Sequence, residues 1–142
     1  MRIDITPPPN NNALKTLSQG IQRYNQDHLD DDVVFEADKR FAAFVYNDEH
    51  QVVGGIRANG FWNYCIIELL WLAPQCRGTG IGTQLMADVE AYAKRLGFAY
   101  IRAETLDFQA KGFYVKCGYR LYGELPDHPK GHTTYCLFKS LK

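Results

Sequence analysis

The residues best suited to chemistry in this chain begin with one short turn. Gln75-Cys76-Arg77-Gly78-Thr79-Gly80-Ile81-Gly82 sets three glycines at alternate positions beside an arginine. Glycine lets the backbone come close to an anion. Successive N–H groups at a helix start point at that anion, with the helix dipole behind them. Phosphate is the usual guest. Two other glycine motifs fail on detail. GxGxxG needs glycine where Leu85 stands, and a Walker A loop needs Lys-Ser/Thr where Thr83-Gln84 stand. A plain tight turn between strand and helix is the remaining alternative. The expected anion donors are the N–H groups of Arg77, Gly78, Thr79, Gly80, Ile81, Gly82 and Thr83, with added charge from Arg77.

Other groups invite chemistry less directly. Glu68 is the only charge in the apolar run Cys65–Ala73. Strand alternation puts it on one face with Tyr64, Ile66, Leu70 and Leu72. A carboxylate there is costly unless that face borders a wet cleft. His128 and His132 fall in a loop rich in proline and glycine, where a lone histidine is either solvated or a substrate contact. The segment from Asp27 to Asp38 holds Asp27, Asp30, Asp31, Asp32, Glu36 and Asp38. It reads as a solvated loop or as an attractor for a cationic substrate. Cys65, Cys76, Cys117 and Cys136 form no CxxC pair, and the histidines show no metal-ligand spacing with them. Free thiols in a reducing cytoplasm and no metal site are the expectation.

These groups need elements to position them. Arg2–Thr6 reads as a strand ended by Pro7-Pro8-Pro9. Leu14, Leu17, Ile21 and Tyr24 recur at helical spacing after the capping candidates Asn10-Asn11-Asn12. Arg40–Tyr46 and Gln51–Ala58 are strands joined by the turn Asn47-Asp48-Glu49-His50. Asn59-Gly60 is a hairpin signal leading into the long apolar strand Phe61–Leu72. A helix follows the glycine turn to about Leu96, with Ile81, Leu85, Met86, Val89, Tyr92 and Leu96 on its apolar face and Gly97 at its C-terminal cap. Then come a strand at Ala99–Leu106, a short helix at Gln109–Cys117, and strands at Tyr119–Glu124 and Thr134–Lys139. The order β-α-β-β-β-α-β-α-β-β is mixed α/β. It gives a sheet of about seven strands, mainly antiparallel, with one parallel pair made by the strand–helix–strand crossover.

Length and composition bound the rest. The 142 residues suit a single domain spanning 1–142, and 46% hydrophobic with 23% charged residues is ordinary globular composition. Sixteen basic and sixteen acidic residues leave no net charge, which argues against bulk binding of nucleic acid or acidic membrane. No apolar run reaches membrane-span length, and Met1–Thr6 lacks the core of a signal peptide.

Two segments together carry a family resemblance. Gln75-x-x-Gly78-x-Gly80, extended by Ile81-Gly82, resembles the acyl-CoA-binding motif of the GNAT superfamily of N-acetyltransferases. Ala110-Lys111-Gly112-Phe113-Tyr114-Val115-Lys116-Cys117-Gly118-Tyr119 is similar to the family's second signature. Tyr114 lies 32 residues after Gly82, with one helix and one strand between. The element order fits from Arg2 to Lys139.

The resemblance implies a GNAT-like sheet flanked by helices, its parallel pair splayed at the cofactor site. The implied activity is acetyl transfer from acetyl-CoA to a primary amine by direct attack in a ternary complex. The turn residues would hold the pyrophosphate. The Leu72 backbone N–H would polarise the thioester carbonyl, with Leu70 alongside for pantetheine. Tyr114 sits at the general-acid position, and Glu68 is the base candidate, acting directly or through water. Asp107 stands where many members carry an asparagine that contacts the cofactor, and a carboxylate there can only accept. Cys117, one turn from Tyr114, is read as core. The acceptor is a small-molecule or protein amine, and a homodimer is common in the family. The alternatives are a longer acyl-CoA, or a domain that senses acyl-CoA without catalysis.

Overall fold

A computed structural model describes residues 1–30 and 39–142, which fall into two compact units, Met1–Phe35 and Glu36–Lys142. Of the acidic segment, Asp31, Asp32, Glu36 and Asp38 lie outside the described residues. In the first unit, helix α1 (Asn11–His28) starts where the capping residues predict. The Asn10 side chain accepts from the Ala13 N–H at 3.0 Å. The expected strand at Arg2–Thr6 is not formed. Among the described residues of that unit there is no second strand, so its backbone has no ladder to join.

The second unit is a six-stranded sheet in the order β1-β2-β3-β4-β6-β5. Its strands are β1 (Lys39–Tyr46), β2 (Val52–Phe61), β3 (Tyr64–Leu72), β4 (Tyr100–Leu106), β5 (Arg120–Leu125) and β6 (Thr134–Ser140). Two helices accompany it, α2 (Ile81–Arg95) and α3 (Lys111–Lys116). Among the described residues the one parallel pair is β3–β4, and every other pair is antiparallel. The mixed sheet agrees with the expectation, with six described strands in place of about seven.

One face of the sheet is packed by α2 and α3. Leu85, Met86 and Val89 of α2 and Tyr114 of α3 join Ile56, Ile67, Ile101 and Leu137 in a single core. The buried stripe of α2 ends on Ala93; Tyr92 is 40% exposed and meets Phe41 edge-on at 4.9 Å. No helix of the described residues is long and apolar enough to cross a membrane.

The hairpin turn falls three residues later than Asn59-Gly60 predicts. Phe61 pairs with Tyr64, so Trp62 and Asn63 make the turn. Gly60 serves packing instead, since a Cβ there would sit 2.1 Å from the Phe98 ring.

Two irregularities in β3 shape the site. Its ladder with β4 runs from Tyr64↔Tyr100 to Ile67↔Ala103 and then stops, although both strands continue. At the same point its register with β2 slips: Arg57 faces Leu69 while Ala58 faces Ile67, leaving Glu68 as the extra residue of a bulge. The bulge breaks the alternation counted from sequence. Tyr64 and Ile66 stay on the face away from α2 with Glu68, but Leu70 and Leu72 turn to the core face.

Candidate active site

Where β3 and β4 part, a cleft of about 850 Å³ opens through the sheet. Its floor and walls come from four places: the second half of β3, the glycine turn, the end of β4 and the start of α3.

The glycine turn follows a 3-10 turn at Pro74–Cys76. Gly78 (φ 73°) and Gly80 (φ 87°) are left-handed, which other residues rarely adopt. Nothing lies within 4 Å of a Cβ built on either, so the space above the turn is open. Helix α2 starts on Gly80 without a side-chain cap. Its first N–H groups therefore have no intrahelical partner and no capping oxygen, as an anion site requires. Gly82 packs closely, 3.1 Å from Leu72 Cδ1 to an added Cβ.

Arg77, Gly78, Gly80, Gly82 and Thr83 line the cleft, while Thr79 and Ile81 do not. The Thr79 hydroxyl donates to the Cys76 carbonyl at 2.6 Å. Any part these two take is through backbone N–H.

Leu70 and Leu72 also line the cleft. The Ala73 N–H donates to the Val53 carbonyl of β2 at 2.8 Å. Amides alternate along a strand, so those of Leu72 and Leu70 face the opposite way, into the gap left by β4. The Leu72 carbonyl, turned the same way, accepts from Arg77 Nε at 3.0 Å.

Tyr114 is brought to the cleft wall by α3, whose first turn is tied to β4. The Ala110 N–H donates to Thr105 Oγ1 at 3.1 Å. The Tyr114 ring is 3% exposed and meets Tyr119 edge-on at 5.3 Å. Burial, and then Cys117 nearby, pushes its hydroxyl above the ordinary tyrosine range. Burial likewise raises the Cys117 thiol and takes Cys65 to about 12, so neither is a ready nucleophile.

Glu68 lines the cleft on the face away from α2, its carboxylate 3.4 Å from Arg57 Nε. The structure adds Glu104, which sequence reasoning missed. It is the next residue of β4 after the last paired position, as Glu68 is on β3, and it lines the same cleft. Trp71 and Phe108 are further walls that the sequence did not single out.

Asp107 is not a wall of the cleft. Its Oδ2 accepts from the Thr133 N–H at 3.0 Å and its Oδ1 lies 2.9 Å from His132 Nδ1. The Thr133 N–H, and after it His132, hold the carboxyl below the usual carboxylate range. A carboxylate only accepts, so His132 donates from Nδ1. His128 Nδ1 lies 2.9 Å from Thr134 Oγ1, which itself donates to the His128 carbonyl at 2.6 Å. Asp107 thus clamps the loop before β6 instead of turning to the cleft. No group of three metal-ligating side chains occurs among the described residues.

Comparison with known proteins gives a consistent result. The profile of the Acetyltransferase (GNAT) family matches residues 11–119. A blasticidin-S acetyltransferase of Streptomyces morookaense is 37% identical over 102 residues, covering 71% of this chain and 75% of that protein. The crystal structure of an acetyltransferase from Bacillus cereus superposes with a TM-score of 0.87 at 30% identity, over 99% of this chain and 97% of the other. An aminoglycoside 6'-N-acetyltransferase crystallised with coenzyme A superposes at 0.67, over 100% and 98% of the two chains. At 18% identity that likeness is one of fold.

Proposed function

The chain belongs to the GNAT family of acetyltransferases, and from that premise we propose that it moves an acetyl group from acetyl-CoA to a primary amine of a small molecule, by direct attack in a ternary complex. The observation that carries this reading is the gap beyond Ile67 and Ala103, which joins the two faces of the sheet. The helix-bearing face offers the uncapped start of α2 and the tyrosine; the other offers carboxylates. A thioester entering from the first face would present its carbonyl in the gap to an amine from the second. The blasticidin-S relative supports a small-molecule acceptor.

Each residue then has a task. The N–H groups from Arg77 to Thr83 hold the pyrophosphate, and Arg77 adds charge through its terminal nitrogens. The Leu72 N–H, with Leu70 alongside, faces the carbonyl oxygen as it gains negative charge. A preorganised donor of this kind is worth about 3–4 kcal/mol where one has been removed in other enzymes.

Glu68 takes the proton of the incoming ammonium, directly or through water. Tyr114 is the donor to the departing sulfur. Burial keeps its hydroxyl protonated across the neutral range. The same burial makes full transfer to a thiolate uphill, since a free thiol ionises near 8.5. Asp107 takes a supporting role behind the loop.

The reading treats residues 1–142 as one domain, in keeping with a family match from residue 11 to residue 119. It places the protein in the cytoplasm, which four free thiols support. Initial rates with acetyl-CoA and an amine varied together test it: a ternary complex gives intersecting double-reciprocal lines, and parallel lines contradict direct attack.

A further inference from the structure

Resting on that reading, we infer that Lys139 is a positioning residue for Tyr114: it fixes the end of α3, the helix that carries the tyrosine, and Glu90 of α2 fixes Lys139. Lys139 stands on β6 two residues after the core residue Leu137, so it points to the face packed by α2 and α3. Its Nζ donates to the Cys117 carbonyl at 2.7 Å and to Glu90 Oε2 at 2.9 Å. One ammonium thus joins a strand to the ends of two separate contacts, one on each helix side of the sheet face.

The need for such a tie follows from the length of α3. Six residues, Lys111–Lys116, are too few to hold a helix by its own hydrogen bonds. Its ends must be fastened from outside. At the start, the Ala110 N–H donates to Thr105 Oγ1 of β4. At the finish, Gly118 is left-handed, and the N–H groups of Gly118 and Tyr119 return to the carbonyls of Val115 and Tyr114. That closure leaves the carbonyl of the cap residue Cys117 outside the helix ladder, and Lys139 answers it.

Glu90 gives the tie its aim. A lysine ammonium sits on a flexible four-carbon stem and would otherwise turn to water. The Glu90 side chain, 14% exposed on the packed helix α2, holds it over Cys117. Neither Lys139 nor Glu90 lines the cleft, so any contribution to transfer passes through α3. Helix α2 opens on the turn assigned above to the pyrophosphate. The bridge from Glu90 through Lys139 to Cys117 therefore sets Tyr114 at a fixed distance from that turn, as a donor to the departing sulfur needs.

The test is a double-mutant cycle between Lys139 and Tyr114, read as kcat at saturating acetyl-CoA with an amine that the wild type acetylates. Lys139→Met alone should lower kcat by about tenfold, since a misplacement of about 1 Å can cost about 10²-fold. Acetyl-CoA affinity by calorimetry should hold, which also shows that the variant is folded. In the Tyr114→Phe background the same substitution should cost little, because no hydroxyl is left to misplace. Lys139→Arg keeps a cation with donors for both partners and should recover most of the rate. If Lys139→Met does not fold, Glu90→Gln runs the same cycle with a smaller loss. Equal losses in the two backgrounds, or an intact kcat in the single variant, overturn the assignment of Lys139 while the transferase reading stands. An intact kcat in Tyr114→Phe overturns it together with the role of the tyrosine. A wild type that binds acetyl-CoA and acetylates no amine overturns the transferase reading as well.

Discussion

The Nε of Arg77 donates to the carbonyl oxygen of Leu72 at 3.0 Å. In the proposed reading one arginine thus sits in the turn that would hold the phosphates and also ties the strand end whose amide would face the thioester. Arg77→Ala should weaken acetyl-CoA binding several-fold and also lower kcat at saturating cofactor. Calorimetry and initial rates measured together separate the two effects. A loss confined to binding would mean that the strand end keeps its place without the arginine.

Tyr114→Phe should lower kcat and kcat/KM together, by about 10²-fold, the low end for acid catalysis. The ring stays in its packed site against Tyr119, so acetyl-CoA affinity should hold. Intact turnover across the pH range would reduce Tyr114 to a packing residue and leave the proton to solvent.

Glu68→Gln should lower kcat by about 10²-fold or more while acetyl-CoA binds as before. Initial rates at saturating acetyl-CoA check it, and an intact kcat in the variant moves the base elsewhere. His132 is next, because Asp107 fixes its ring through Nδ1.

Gly60→Ala should cost about 1–3 kcal/mol of stability, the range for overpacking a core. The added Cβ falls 2.1 Å from the Phe98 ring, so ring or strand must shift. Urea midpoints of wild type and variant check it, and equal midpoints would show that Phe98 moves freely.

Much of this was legible in the sequence because its signals are local. The glycine turn, the helix after it and the Tyr114 segment each follow from residue types at short spacing, and the structure brings them to one cleft. What the sequence hid depends on register. Alternation counted through Glu68 puts Leu70 and Leu72 on the wrong face, because one unpaired residue reverses the parity of everything after it. Glu104 ends an ordinary strand pattern. Only the pairing of Ile67 with Ala103 reveals that it stands opposite Glu68. Asn59-Gly60 carries a turn signal, yet Gly60 is needed by a ring distant in sequence and the chain turns three residues later, at Trp62-Asn63. Asp107 reads as a cofactor contact by its place in a motif, but its partners come from the loop before β6, 26 residues on at Thr133.

The most direct test of the account is an acceptor screen with purified protein and acetyl-CoA, following release of the CoA thiol and the mass of each amine. The account predicts thiol release that requires an amine, at a rate well above acetyl-CoA hydrolysis, with each turnover adding one acetyl group to the amine. Tight binding of acetyl-CoA with no acetylated product from any primary amine, cationic ones included, would contradict it and make the protein a sensor of acyl-CoA.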